Sequence, residues 1–186
     1  MERNVKIEGK YVIVEEVQPK YFEKIIKWRN NPDFNKYLNQ PYKLTMELQY
    51  KWYEKYLTDL SQGLFVIIDK SNNIPFATIG YTDYDTDEKV LISGRLLVGE
   101  LEYRGSNEWN EAIKLVFGYF YKDLGVNTIY SHVVHKNIAS KKWHLKHGYF
   151  VNGGEIKFPK ELVVNGMEQI EFVKDMDRHF MHCTDR

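Results

Sequence analysis

Residues 102–112 read EYRGSNEWNEA. An Arg104-Gly105 turn runs straight into a helix whose first turn carries Glu108 and Glu111. Two readings of this stretch are open. Turns of this kind entering a helix cradle phosphate groups, because the first amides of a helix have no internal acceptor and its positive end favours an anion. Acidic residues satisfy that end themselves, so an ordinary self-capped helix start fits as well. The helix is expected from about Glu108 to Leu124. Ala112, Ile113, Val116, Phe117 and Phe120 form its apolar stripe, and Gly125 supplies its stop.

Upstream, Lys89–Glu100 reads as a strand, with Gly94 as the expected bulge. Leu64–Asp69 and Pro75–Asp85 form a hairpin around Ser71-Asn72-Asn73. Before them come two helices. One starts near Pro19, carries Phe22, Ile25, Ile26 and Arg29 at helical spacing, and ends at Asn30-Asn31-Pro32. The other follows Thr45 as N-cap, with Leu48, Trp52, Tyr56 and Leu60 on one face. Tyr11–Val17 is the first expected strand. Downstream lie a strand at Asn127–His135, a short helix from Ile138 to His147 stopped by Gly148, and the strands in YFVNGG and MEQIEFVKD. This order describes one α/β domain over residues 1–175 with a C-terminal tail at 176–186. Its mixed sheet has about seven strands, flanked by about four helices.

The composition narrows the function. The chain has 186 residues and 15% aromatics, led by 14 Tyr and 10 Phe, so the core or a pocket is aromatic. Lys+Arg and Asp+Glu are both 26, a balance that argues against a nucleic-acid surface. No apolar run approaches the ~20 residues of a membrane span. The N-terminus lacks an apolar signal core, and Cys183 is a lone cysteine, so a cytoplasmic protein is expected.

Residues 102–150, EYRGSNEWNEAIKLVFGYFYKDLGVNTIYSHVVHKNIASKKWHLKHGYF, together with the order of elements, resemble the GNAT superfamily of acyl-CoA N-acyltransferases. The branch with ribosomal-protein N-terminal, spermidine and amino-sugar acetyltransferases is the most similar, and KWRNNPD resembles its WRN-x-P element. The resemblance implies a largely antiparallel sheet and acetyl-CoA as co-substrate. In that family a Gln/Arg-x-x-Gly-x-Gly/Ala loop holds the CoA pyrophosphate. On this chain it begins at Arg104, runs through Gly105 and Ser106, and puts Asn107 and Trp109 at the two glycine positions. Asn tolerates left-handed dihedrals, whereas Trp109 places a bulky ring where backbone should approach phosphate. NIASKKWHLKHGY resembles the second family element, whose Asn (here Asn137) reaches the pantetheine arm; a plain helix N-cap is the other reading. Backbone groups near Leu97 and Val98 would pair with pantetheine.

Thioester aminolysis needs a base, because a primary ammonium has a pKa near ~10. The resemblance puts the base five residues before Asn137 and the acid seven after it, and those positions hold His132 and His144. His132, His135, His144 and His147 suggest zinc, but strand alternation sends the first two to opposite faces, so no metal is expected. Trp28, Arg29 and Asn30 would form the acceptor lip, where Arg29 either holds an acidic group of the acceptor or pairs with a nearby acid. Tyr42, Tyr81 and Tyr84 line the same cleft or fill the core. The expected function is acetyl transfer to the primary amine of a small molecule such as an amino sugar, with a homodimer left open. The rival is a non-catalytic GNAT-like binding domain whose CoA loop Trp109 and the two glutamates have closed.

Overall fold

The computed structural model describes residues 3–38, 40, 42–158, 163–164 and 166–181. Cys183 and His182 lie outside them. Strands β1 (Lys6–Glu8) and β2 (Val12–Glu16) lead through a turn of 3-10 helix (Pro19–Tyr21) into α1 (Phe22–Asn30). The short α2 (Pro32–Asn35) and then α3 (Met46–Thr58) follow. Strands β3 (Gly63–Asp69), β4 (Ile74–Asp85) and β5 (Val90–Val98) precede α4 (Asn107–Lys122). The chain then forms β6 (Thr128–Val134), α5 (Ile138–Lys146), β7 (Phe150–Val151), β8 (Val163–Val164), β9 (Met167–Asp175) and α6 (Met176–Met181).

The strands lie in the order β1-β2-β3-β4-β5-β6-β9-β7, with β8 on β9. Every pair is antiparallel except β5–β6. The sheet is therefore mixed and largely antiparallel, as expected. Beyond the seven expected strands are β1 and β8, of three and two residues. Beyond the four expected helices are α2 and α6, of four and six. Such short elements carry too few residues for a hydrophobic period to show. Local chemistry sets the ends of α1 and α2. Asn31 precedes a proline and is extended (φ −69°, ψ 120°), which ends α1. Its side chain then accepts from Asp33 N at 2.9 Å and caps α2.

Two apolar layers sandwich the sheet. On one face, Ala112, Ile113, Val116, Phe117 and Phe120 of α4 pack on Val12, Val14, Phe65 and Ile67. Met176, at the start of α6, belongs to this layer and is fully buried. On the other face, Phe22, Ile25 and Trp28 of α1 and Tyr56 of α3 pack on Leu64, Val66 and Ile68. Strand β3 is covered on both sides, so all seven of its residues are buried and it reads as a continuous apolar run. Each large side chain so buried contributes about 1.5–3 kcal/mol. The expected face of α3 is only half right. Tyr56 is fully buried, but Leu48 and Leu60 are 39% and 49% exposed, and Leu60 lies beyond the helix end.

Candidate active site

Strands β5 and β6 pair in parallel only over Val90↔Thr128, Leu91↔Ile129 and Ile92↔Tyr130. Beyond that point they part, while β5 stays on β4 through Thr78↔Leu97 and Ala77↔Val98. The β6-facing edge of β5 from Ser93 to Val98 is thus unpaired backbone. The cause is a bulge between β4 and β5, where the register jumps from Thr78↔Leu97 to Gly80↔Gly94. The expected bulge is present, but its left-handed residue is Arg95 (φ 53°) and not Gly94. Thr78 Oγ1 donates to Arg95 O at 2.8 Å and takes the place of a lost ladder bond. A cleft of about 1170 Å³ opens between the parted strands, lined by both of them, by α5 and by α1–α3. Leu97, Val98, Arg104, Gly105 and Asn137 all lie on its wall.

At one end of the cleft is the Arg104–Trp109 loop. Gly105 is left-handed (φ 77°), a conformation that costs glycine nothing. Ser106 is the N-cap of α4, and its hydroxyl accepts from Trp109 N at 3.1 Å. Among the described residues, the amides of Gly105, Asn107 and Glu108 have no protein acceptor. Trp109 reaches the cleft wall. It is 3% exposed and packs in the α4 core layer. Glu111 is turned away as well. Its carboxylate accepts from the amides of Lys10, Tyr11 and Val12 at 2.8, 2.7 and 3.0 Å and so clamps the β1–β2 turn. Neither Glu108 nor Glu111 lines the cleft. Arg104 leans away from the loop, with its guanidinium 5.4 Å from the centre of the Phe34 ring. Asn137 caps α5, accepting from Ser140 N at 3.1 Å, and still reaches the cleft wall.

The two candidate histidines sit in different environments on either side of β6. His132 lines the cleft, and its Nε2 lies 3.0 Å from Glu171 Oε2 on the paired strand β9. The side chains are 6% and 0% exposed. Burial pushes the Glu171 carboxyl up, but hydrogen bonds from Asn152 Nδ2, the Lys157 and Phe158 amides and His132 outweigh it and hold the group below the usual carboxylate range. A fixed carboxylate on Nε2 orients the ring and leaves Nδ1 without a protein partner among the described residues. His144 is buried. Its Nδ1 is 2.8 Å from Ser140 O and its Nε2 is 2.8 Å from Ser131 Oγ. Burial pulls its pKa down to about 4, so at neutral pH it is an uncharged ring that donates to Ser140 O and accepts from Ser131.

On the opposite side, only Arg29 of the expected lip residues lines the cleft. Trp28 is 3% exposed, lies in the α1–α3 core layer and donates from Nε1 to Glu100 at 3.2 Å. Gly99 makes room for it: a Cβ there would sit 2.2 Å from the indole. Asn30 clamps the backbone of Leu44 through two bonds of 2.8 Å and also accepts from Gln40 Nε2 at 3.3 Å. Tyr42 lines the cleft, Tyr81 is core, and Tyr84 donates to Leu124 O at 2.6 Å. The sequence reading missed Glu171, Ser131, Gln49 and Arg95. The last three line the cleft, and none belongs to a local pattern. Among the described residues, no group of three or more His, Cys, Asp or Glu side chains could hold a metal ion, and no helix is long and apolar enough to cross a membrane.

The family model of the acetyltransferase (GNAT) domain matches residues 12–149. No curated protein matches the sequence. Solved structures share the fold at low identity. A spermidine N-acetyltransferase from Vibrio cholerae, in complex with CoA and spermine, superposes with a TM-score of 0.76 at 15% identity over 92% of this chain and 99% of that one. FdhC, a nucleotide-linked sugar GNAT, gives 0.74 at 18% identity over 97% of each chain. A GCN5-related N-acetyltransferase from Brucella melitensis gives 0.76 at 19% identity over 95% of this chain and 80% of that one.

Proposed function

This chain belongs to the GNAT acetyltransferase family, whose enzymes use acetyl-CoA, and we propose that it transfers the acetyl group to the primary amine of a small molecule with His132 as general base. The observation that carries this reading is the His132–Glu171 pair on the rim of the β5–β6 cleft.

The Gly105, Asn107 and Glu108 amides are free to take a pyrophosphate, and the unpaired edge of β5 at Leu97–Val98 suits the amides of a pantetheine arm. Against the rival reading, a loop closed by Trp109 and two glutamates, stand the packing of Trp109 in the core layer and the engagement of Glu111 by the β1–β2 turn. His132 Nδ1 takes a proton from the ammonium, directly or through water. The freed nitrogen attacks the thioester carbonyl, the C–S bond breaks, and the thiolate leaves and is protonated. Glu171 stabilises the imidazolium that forms. His144 is a poor proton donor here, because its uncharged Nδ1–H is committed to Ser140 O. A leaving thiol near pKa ~8.5 needs little help, so we assign His144 to holding Ser131 and the cleft wall. Neighbours of the same fold include spermidine and nucleotide-linked sugar enzymes. Of these two acceptor types, the sugar class suits this cleft better, since among the described residues its acidic lining is Asp33 and Asp83 alone.

Titration calorimetry with acetyl-CoA, paired with a thiol-release assay over a panel of amines, tests the reading. Micromolar binding and amine-dependent thiol release are expected. No binding at millimolar acetyl-CoA would overturn it.

A further inference from the structure

The acceptor side of the cleft holds two arginines that, among the described residues, form no ion pair. Arg29 Nε donates to Gln40 Oε1 at 2.7 Å, and Arg95 Nη2 donates to Gln62 Oε1 at 2.5 Å. Both partners are neutral amides. Among the described residues, neither arginine has a carboxylate within ion-pair distance. Arg95 Nη1 is buried with no hydrogen-bond partner. Burial lowers the pKa of both groups. For Arg95 the nearby Arg29 charge adds to burial and brings it to about 10, against the opposing pull of Tyr56 and Asp59. Asp59 is occupied elsewhere, accepting from Ser61 and from Gln62 Nε2.

Keeping such a pair is expensive. A half-buried cation without a counter-charge is destabilising, and a second one nearby adds to it. Arg95 also adopts a left-handed backbone (φ 53°), which is strained for a non-glycine residue. Its side chain is braced by the Trp52 ring, 5.3 Å from the guanidinium. The cleft as a whole is basic. Six Lys or Arg side chains line it, against two carboxylates, Asp33 and Asp83, both exposed, although the chain has equal numbers of each sign. A CoA pyrophosphate accounts for the basic groups near the α4 and α5 starts. It does not account for Arg29, on α1, and Arg95, against Trp52 of α3.

Resting on the acetyltransferase reading above, we infer that Arg29 and Arg95 together bind an anionic group of the acceptor, so that the substrate is an amine that also carries a carboxylate or a phosphate. Gln40 and Gln62 act as positioning residues that hold the two forks. A polycationic amine is repelled from the same place.

The test uses matched acceptors: an amino sugar against its phosphate and its nucleotide-diphosphate form, an amino acid against its amide, and spermidine. The anionic member of a pair should have the higher kcat/KM by about 10–100-fold, the scale of a charge-assisted hydrogen bond. Which pair responds distinguishes phosphate from carboxylate. Arg29→Gln and Arg95→Gln should lower kcat/KM for the anionic member far more than for the neutral one and so abolish that preference. Preference for spermidine or for neutral acceptors overturns the inference, as does an equal loss on both members of a pair. A second measurement is independent of turnover. With the protein saturated in CoA, inorganic pyrophosphate or succinate should raise the melting temperature of the native protein and not that of the double variant. No shift with either anion also overturns the inference. Failure to acetylate any amine counts against the acetyltransferase reading instead, and the anion shift still decides the arginine site.

Discussion

Replacing Glu171 by Gln tests the proposed base without touching substrate. The carboxylate is fully buried and accepts four hydrogen bonds, from Asn152 Nδ2 at 2.7 Å and from Lys157 N, Phe158 N and His132 Nε2 at 3.0 Å. Gln keeps the volume and one acceptor oxygen, but it sets an NH₂ against at least one former donor. That conflict costs about 1–3 kcal/mol, or roughly 2–10 °C in melting temperature for a chain of this size. The catalytic effect is separate. The bond to His132 is worth about 1.5–3 kcal/mol once the imidazolium forms, so kcat should fall by roughly 10–100-fold at temperatures where the variant is folded. Dissociation of acetyl-CoA should be unchanged, because Glu171 does not line the cleft. The decisive assay is a double-mutant cycle. His132→Ala alone should lower kcat by about 10²-fold or more, and Glu171→Gln added to it should cost almost nothing further, because the carboxylate acts only through the ring. Additive losses in folded protein would refute the argument and leave Glu171 a structural clamp for residues 157–158.

Two further outcomes follow from buried groups. Glu111→Ala frees the amides of Lys10, Tyr11 and Val12 and should cost about 1–3 kcal/mol in urea unfolding, while CoA affinity measured by calorimetry stays within about twofold, since the carboxylate faces the β1–β2 turn and does not line the cleft. His144 should make the fold acid-sensitive. Its folded pKa of about 4 lies below the ~6.5 of the unfolded chain, so its contribution is complete above that higher value and is lost as pH falls through the lower one. The loss should reach about 2 kcal/mol by pH 5, and His144→Gln should flatten the melting temperature between pH 7.5 and pH 5; an equally steep variant would assign the acid sensitivity elsewhere.

Much of this architecture was legible because it is local. Thr45 and Asn137 cap their helices as their sequence contexts imply, and Gly125 and Gly148 are left-handed at the expected stops. Trp109 shows how a motif can mislead. Aligned to a glycine position, it looked like an obstruction. Counted along the helix, it stands three and four residues before Ala112 and Ile113, on the stripe that also holds Val116 and Phe120, and it is buried there. The period was the better guide to its direction. Glu111 could not be read this way, since its partners lie about a hundred residues earlier in the chain. Glu171 faces His132 only through the β6–β9 register, which pairs those two residues. That register is set by long-range pairing, and a one-residue slip would send Glu171 to the other face.

Arg95 shows why the acceptor side was the least legible part. A bulge adds a residue to one strand, bends it and increases its twist. Here it lies three residues past Ile92, the last position where β5 meets β6. The irregularity carries β5 away from β6, which opens the space between the strands, and the part of β5 beyond Ile92 presents Arg95 and Leu97 to the α1–α3 layer. In an unbroken strand, residues two apart share a face, and Gly94 would have been the natural site for the left-handed kink. With arginine there instead, the kink and the charge come together. Selection for the kink alone would favour glycine, which adopts it without strain. The proposed anion site accounts for an arginine that bears this strain and, among the described residues, has no carboxylate within ion-pair distance.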